Sequence, residues 1–183
     1  MYSPTFIELL AGYARYHQDR RNKVLHAIGI PLLMTSYLYG LSTPLFRIEM
    51  EFAGFPLSLG VLLFALCATY WTVLARGLGL LLVILFSPLL WLCPTWTDAI
   101  ATHDNFWGLP ANLIAFCVLN GAAWGFQLAG HYFEKKKPAF LNNVKQGMMG
   151  PLFLVFELGV LLGGCKQLAS SLEQARHSSS ENS

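Results

Sequence analysis

The stretch WGFQLAGHYFEKKKPAF, Trp124 to Phe140, decides the fold, because an uncharged run ends inside it and polar chemistry begins. Upstream, from Phe106, lie roughly twenty residues without a charge, the length a helix needs to cross a bilayer. At about 100° per residue, Asn120, Trp124, Gln127, His131 and Glu134 fall within one narrow stripe of that helix. Gly121 and Gly125 sit off the stripe, where small residues let a neighbouring helix approach closely. The stripe ends in His131, Glu134 and the basic run Lys135, Lys136, Lys137. A polar seam that stops in an imidazole at the water interface has two readings. One is interhelical hydrogen bonding with a cationic anchor. The other is a metal site whose remaining ligands come from elsewhere in the chain.

Composition places the rest of the chain around that helix. Of 183 residues, 55% are hydrophobic and only 12% charged, where soluble domains carry about a quarter charged. The mean hydropathy of +0.48 agrees. These values predict an all-α integral membrane protein, a bundle of about five transmembrane helices preceded by an amphipathic N-terminal helix. Residues 1–165 form a single membrane-embedded helical domain in this reading, and 166–183 a polar, disordered tail. The net charge of +2 is too small to imply nucleic acid, and no basic stripe interleaved with aromatics occurs. Cys67, Cys93, Cys117 and Cys165 are scattered singly through apolar segments and read as small hydrophobes.

From the N-terminus, Phe6, Leu9, Leu10, Tyr13 and Tyr16/His17 recur at helical spacing after a Ser3-Pro4 start signal. A polar break at Gln18–Lys23 follows, and Asn22 is expected to cap the next helix, with His26 near its first turn. His17 and His26 are half a rotation out of phase on one continuous helix, so they converge only if the chain bends between them. The predicted spans run from about Ala27 to Phe46 around Pro31, Phe52 to Ala75, Leu78 to Trp91, Phe106 to Gly130, and Pro151 to Gly164. Ser87-Pro88 and Cys93-Pro94 interrupt the third, which reads as a broken or short helix. Glu157 lies inside the fifth span, where an ionisable residue is a functional candidate by default.

Loop charge orients the bundle. Arg15, Arg20, Arg21, Lys23, Arg76, Lys135, Lys136, Lys137 and Lys145 fall on the N-terminal side, against Arg47, Lys166 and Arg176 on the other. The positive-inside rule then puts the N-terminus in the cytoplasm, in a bacterial inner membrane or, in a eukaryote, the endoplasmic reticulum. It also brings His17, His26, His131 and Glu134 to one membrane face. His103 falls on the opposite face unless the third segment is re-entrant.

Three neutral imidazoles suit a borderline divalent metal, iron or zinc, and three protein ligands leave positions open for substrate or oxygen. Glu134 and His103 are the reserve ligands. Gln127 and Glu134, one turn either side of His131, are placed to orient its ring. No phosphate loop, catalytic Ser-His-Asp order or nucleotide fingerprint is present.

The pattern Tyr13–Tyr16–His17, Asn22, His26, Gly29-Ile30-Pro31, Trp124, Gln127, Gly130-His131, Phe133-Glu134, Pro138-Ala139, Pro151-Leu152-Phe153 and Glu157 resembles the yeast-type 2-hydroxy fatty acid dioxygenases. These are small multi-spanning proteins that shorten fatty acids by one carbon in alpha-oxidation and phytosphingosine breakdown. The resemblance covers residues 13–157 and implies an Fe(2+) enzyme with His17, His26 and His131 as catalytic metal ligands. It implies a long-chain 2-hydroxy fatty acid and O2 as reactants, with membrane lipid around the bundle. Asn22, Gln127 and Glu134 would support the ligands, and Trp124, Lys135 and Glu157 would meet the substrate, Lys135 by drawing its carboxylate to the interface. Two other functions fit the same residues: a di-histidine haem protein for membrane electron transfer, and a non-enzymatic membrane scaffold or transport subunit.

Overall fold

The computed structural model describes residues 2–52, 55–102, 108–141 and 143–180. Among these residues it consists of helices and one two-stranded hairpin. Helix α1 spans Pro4–Arg15, where the Ser3 hydroxyl accepts from the Phe6 amide and Pro4 occupies the first turn. Its apolar face, Phe6, Leu10, Ala11, Tyr13 and Ala14, is buried against the C-terminal helices rather than laid on a surface.

Helix α2, Arg20–Gly40, starts well before the expected Ala27. Its cap is Asp19, whose carboxylate accepts from the Arg21 amide at 2.8 Å, and not Asn22, which lies within the helix and is fully buried. The chain offers two capping side chains three residues apart, and the acidic one at the turn takes the role. Pro31 is accommodated inside α2. This helix is the hub of the fold: it packs along α6 and also touches α3, α5 and α8.

The second expected span is shorter than the sequence suggested. Strands β1 (Arg47–Phe52) and β2 (Phe55–Ser58) pair antiparallel, with Arg47 opposite Ser58. Pro56 disfavours helix at the residue before it, so α3 begins only at Leu59, capped by the Ser58 hydroxyl, and ends at Leu74. Arg47 locks this end of the molecule: its guanidinium meets Asp98 at 2.7 Å, Thr97 Oγ1 at 2.9 Å and the Pro94 carbonyl at 3.0 Å.

Helices α4 (Arg76–Phe86) and α5 (Leu89–Ala101) follow each other across Ser87-Pro88, and α6 runs Ala111–Glu134. After the short α7 (Val144–Gly147), α8 covers Met149–Leu161 and α9 Lys166–Ser180. In the last, residues 166–180 of the stretch expected to be a disordered tail are helical, bent 119° from the preceding helix. Leu168 and Leu172, four residues apart, form one buried face against the α1 core. A count of polar residues hides such a pair.

Among the described residues, two helical stretches are long and apolar enough to cross a membrane, Arg76–Ala101 and Ala111–Glu134. A third arises if the bent α7–α8/α9 pair counts as one, while α3 is apolar but only 16 residues long. Leu66, Val73, Ile84, Trp91, Val118 and Leu128 are all more than half exposed. Apolar side chains displayed on several helices mark a surface made for lipid. The molecule is therefore a helical, membrane-associated protein with two or three full-length spans among the described residues, where five were expected. The hairpin, the short helices and the central α2 account for the other apolar segments.

Candidate metal centre

The α1–α2 break is what the site depends on. Helix α1 stops at Arg15, the chain turns through Tyr16–Asp19, and α2 sets off from Arg20. The turn swings His17 round to face His26, and the long packing of α2 on α6 brings His131 to both. Ring centroids are 4.5 Å apart for His17–His26, 4.9 Å for His26–His131 and 5.2 Å for His17–His131. One ring nitrogen from each lies within 4.8 Å of the other two, and all three residues are buried.

Backbone carbonyls orient two of these rings. His17 Nδ1 lies 2.9 Å from the Tyr13 carbonyl, and His26 Nδ1 lies 3.1 Å from that of Asn22. A carbonyl only accepts, so each Nδ1 carries the proton and each Nε2 presents a lone pair. Tyr13 also stacks on His17, centroids 3.9 Å apart and planes 7° from parallel. Burial holds the His17 imidazole down to about 4, against a smaller upward pull from the Tyr13 carbonyl, with His131 and Lys23 adding to the depression. It is neutral at pH 7, the state a metal ligand needs.

Glu134 serves the turn and is not a member of the cluster. Its carboxylate accepts from the backbone amides of Gln18 and Asp19, at 3.0 and 2.8 Å, and from Asn22 Nδ2 at 3.0 Å. Asn22 Nδ2 also donates to the Tyr16 carbonyl at 3.2 Å. The end of α6 thereby clamps the turn that carries His17. Lys136 adds to the clamp by donating to the Arg15 carbonyl at 2.8 Å, at the C-terminus of α1.

Close approach at the site runs through other glycines than expected. A Cβ at Gly121 or Gly125 would meet nothing within 4 Å. One at Gly130 would come within 2.4 Å of Asn22 Oδ1 and 2.8 Å of His26 Nδ1. Gly29 similarly faces the Ala123 carbonyl and Phe126. The glycine beside the histidine, rather than the pair upstream, lets α2 and α6 close on the cluster.

A cavity of about 510 Å3 opens from the imidazoles, with His17, His26, His131, Gln127 and Trp124 at its polar end. Its walls are otherwise almost wholly apolar. Lys135 and Glu157 are not among the lining residues. Lys135 ends α6 in the left-handed conformation with its side chain exposed, and Glu157 pairs with Lys23 at 2.8 Å. His103 lies outside the described residues. Sequence reading also passed over Gln146 and Trp71, which line the same cavity; neither sits in a pattern that separates it from packing.

The cluster fits a metal ion on its own geometry. Among the described residues, the buried side-chain atoms without a hydrogen-bond partner are His17 Nε2, His131 Nδ1, Asn22 Oδ1 and Gln146 Oε1. Leaving such atoms unpaired costs about 1–3 kcal/mol each, and two of them are imidazole nitrogens of one cluster. A cation between them would satisfy both.

Fold and site together define a helical membrane-type protein with a buried three-histidine cluster at the head of an apolar cavity. Residues 3–160 match the family described as 2-hydroxy-palmitic acid dioxygenase Mpo1-like, and the chain belongs to that family. It is 30% identical over 166 residues to the 2-hydroxy-palmitic acid dioxygenase MPO1 of Saccharomyces cerevisiae, an alignment covering 90% of this chain and 85% of the relative. No solved structure matches.

Proposed function

We propose that the chain is an iron(II)-dependent dioxygenase that shortens 2-hydroxy fatty acids by one carbon. His17, His26 and His131 are the ligands, on the cytoplasmic face of the membrane. The observation that carries the reading is the meeting of three buried imidazoles at the polar end of an apolar cavity. An iron ion bound there supplies Lewis acidity toward the hydroxy acid's oxygens and the capacity to activate oxygen. The protein's own residues do the rest. The Tyr13 and Asn22 carbonyls fix the His17 and His26 tautomers, Glu134 holds the turn that presents His17, and Gln127 borders His131 one helical turn away. The cavity walls take the alkyl chain, each buried CH2 contributing about 0.8 kcal/mol. Loop charge supports the cytoplasmic orientation, and the apolar faces of α3 to α6 and α8 support embedding in the bilayer. Zinc satisfies the same donor set, so the metal is to be identified by assay.

A bis-histidine haem is disfavoured by the spacing. Each imidazole has two others within about 5 Å of its centroid, which leaves no gap between any pair for a macrocycle. A purely structural role gives no reason for unpaired imidazole nitrogens to converge.

The test is to load the purified protein with iron(II) without oxygen, then add oxygen and a 2-hydroxy fatty acid. The expected result is oxygen consumption and an acid one carbon shorter, with stoichiometric iron. His17→Ala, His26→Ala and His131→Ala should each lose metal and turnover while remaining membrane-inserted. Stoichiometric iron with no shortened product would overturn the dioxygenase reading, and three substituted variants that keep their metal would overturn the ligand assignment.

A further inference from the structure

We propose that the cavity is a ruler for the substrate's alkyl chain, with Leu38 and Phe64 as its floor; this rests on the dioxygenase reading above. The lining residues contributed by α2 are His26, Ile30, Leu33, Met34, Tyr37 and Leu38. They recur every three to four residues, so the cavity follows one face of this helix. From His26 to Leu38 is twelve residues, about 18 Å at 1.5 Å rise each. Half the hydrocarbon core of a bilayer, the depth filled by one acyl chain, is about 15 Å. The cavity therefore has the length of a single long acyl chain measured from the histidine cluster.

Helix α3 runs against this axis and gives it a direction. Trp71 lies at the histidine end, where its indole donates to the Met148 carbonyl at 3.0 Å, and Cys67 and Phe64 follow toward the far end. There the lining includes two buried side chains, Leu38 and Phe64, beside the more exposed Tyr37 and Leu63. Leu38 and Phe64 are 4% and 6% exposed and belong to one core cluster with Tyr39 and Cys93. The head of the cavity borders a different cluster, which contains Tyr13, Trp71 and Met149. An alkyl chain anchored by its polar head at the imidazoles would thus extend between two cores and end on the Phe64 ring. Away from the imidazoles the α2 and α3 walls are leucine, isoleucine, methionine, cysteine and aromatic side chains, with the Tyr37 hydroxyl as their polar group. A second polar group on the chain out of reach of Tyr37 would be buried unsatisfied, so the fitting ligand has a largely plain hydrocarbon tail.

The variants are Phe64→Ala, which deepens the floor, and Met34→Trp, which fills the cavity at a half-buried position about two-thirds of the way down. The first measurement uses metal-free protein in detergent and displaces a fluorescent fatty acid with a homologous series of straight-chain 2-hydroxy acids. Wild-type affinity should climb about fourfold per added CH2 and break off near the palmitic length. The break should move to longer acids in Phe64→Ala and to shorter ones in Met34→Trp. If removing the buried ring prevents folding, the shift in Met34→Trp decides the matter alone. A break that stays at one length in every folded variant, or affinity with no break at all, would overturn the ruler. The second measurement is turnover over the same series. A shifting break in protein that releases no shortened acid would defeat the dioxygenase reading and leave the ruler standing. Turnover with an unmoved break would do the reverse.

Discussion

Asn22 and Glu134 meet through a hydrogen bond of 3.0 Å, from the amide of one helix's first turn to the carboxylate at the other's last. The same carboxylate oxygen takes the Asp19 amide at 2.8 Å, and the other end of the Asn22 carboxamide lies against Gly130, where Oδ1 excludes a Cβ. One asparagine therefore registers the His17 turn, the His26 helix and the His131 helix against one another. The cluster's geometry depends on this contact as much as on the imidazoles.

Glu134→Ala removes the acceptor for two backbone amides and the Asn22 side chain. The turn carrying His17 should loosen, and metal affinity should fall about 10- to 100-fold, the usual cost of losing an orienting partner, with the helical content kept. Metal titration against wild-type protein checks this. Unchanged affinity would show that the turn is held without Glu134.

Gly130→Ala forces a methyl to within 2.4 Å of Asn22 Oδ1. Overpacking of this kind costs about 1–3 kcal/mol, and here the displacement falls on the Asn22 and His26 pair. The expected outcome is a lowered Tm together with weakened metal binding. Gly121→Ala, which meets nothing within 4 Å, should leave metal binding unchanged and Tm equal or slightly higher, alanine being the better helix former, and serves as the control.

His17 titrates near 4 in the fold against an ordinary 6.5. The unfolded chain therefore takes up the proton first as pH falls. This group's contribution to stability is complete above about 6.5 and declines as pH drops toward 4. Thermal melts of metal-free protein should be flat between pH 7 and 8 and fall below about 6.5. His17→Gln should make that part of the profile shallower, with His26, also held down by burial, supplying the remaining slope. A profile of the same slope in both proteins would assign the loss to other groups.

The Lys23–Glu157 pair joins α2 to α8 with side chains 35% and 30% exposed. Ion pairs of such exposure contribute at most about 1 kcal/mol. Glu157→Gln should move Tm by little and leave metal stoichiometry intact. A selective loss of affinity for the 2-hydroxy acid would instead place Glu157 at the substrate.

Two things were legible in the chain alone: the helical, apolar class, and the three histidines that the fold brings into one cluster. Both are local or compositional properties: an uncharged run long enough to span, and imidazoles on stripes that end at interfaces. The sequence also showed that His17 and His26 need a bend between them, because helical phase is fixed by residue spacing alone. The structure has that bend at Tyr16–Asp19. Other features are set by distant pairs and needed the fold. Asn22 does not cap α2 but lies within it, with its Nδ2 donating to Glu134 over a hundred residues away. Apolar runs of similar hydropathy became a short helix after a hairpin, a helix pair across Ser87-Pro88 and the central α2, according to which neighbour covered each face. Residues 166–180 of the polar C-terminal stretch are helical, with Leu168 and Leu172 packed into the α1 core. Hydropathy measures each residue's preference for leaving water, and it is blind to whether lipid or another helix receives it.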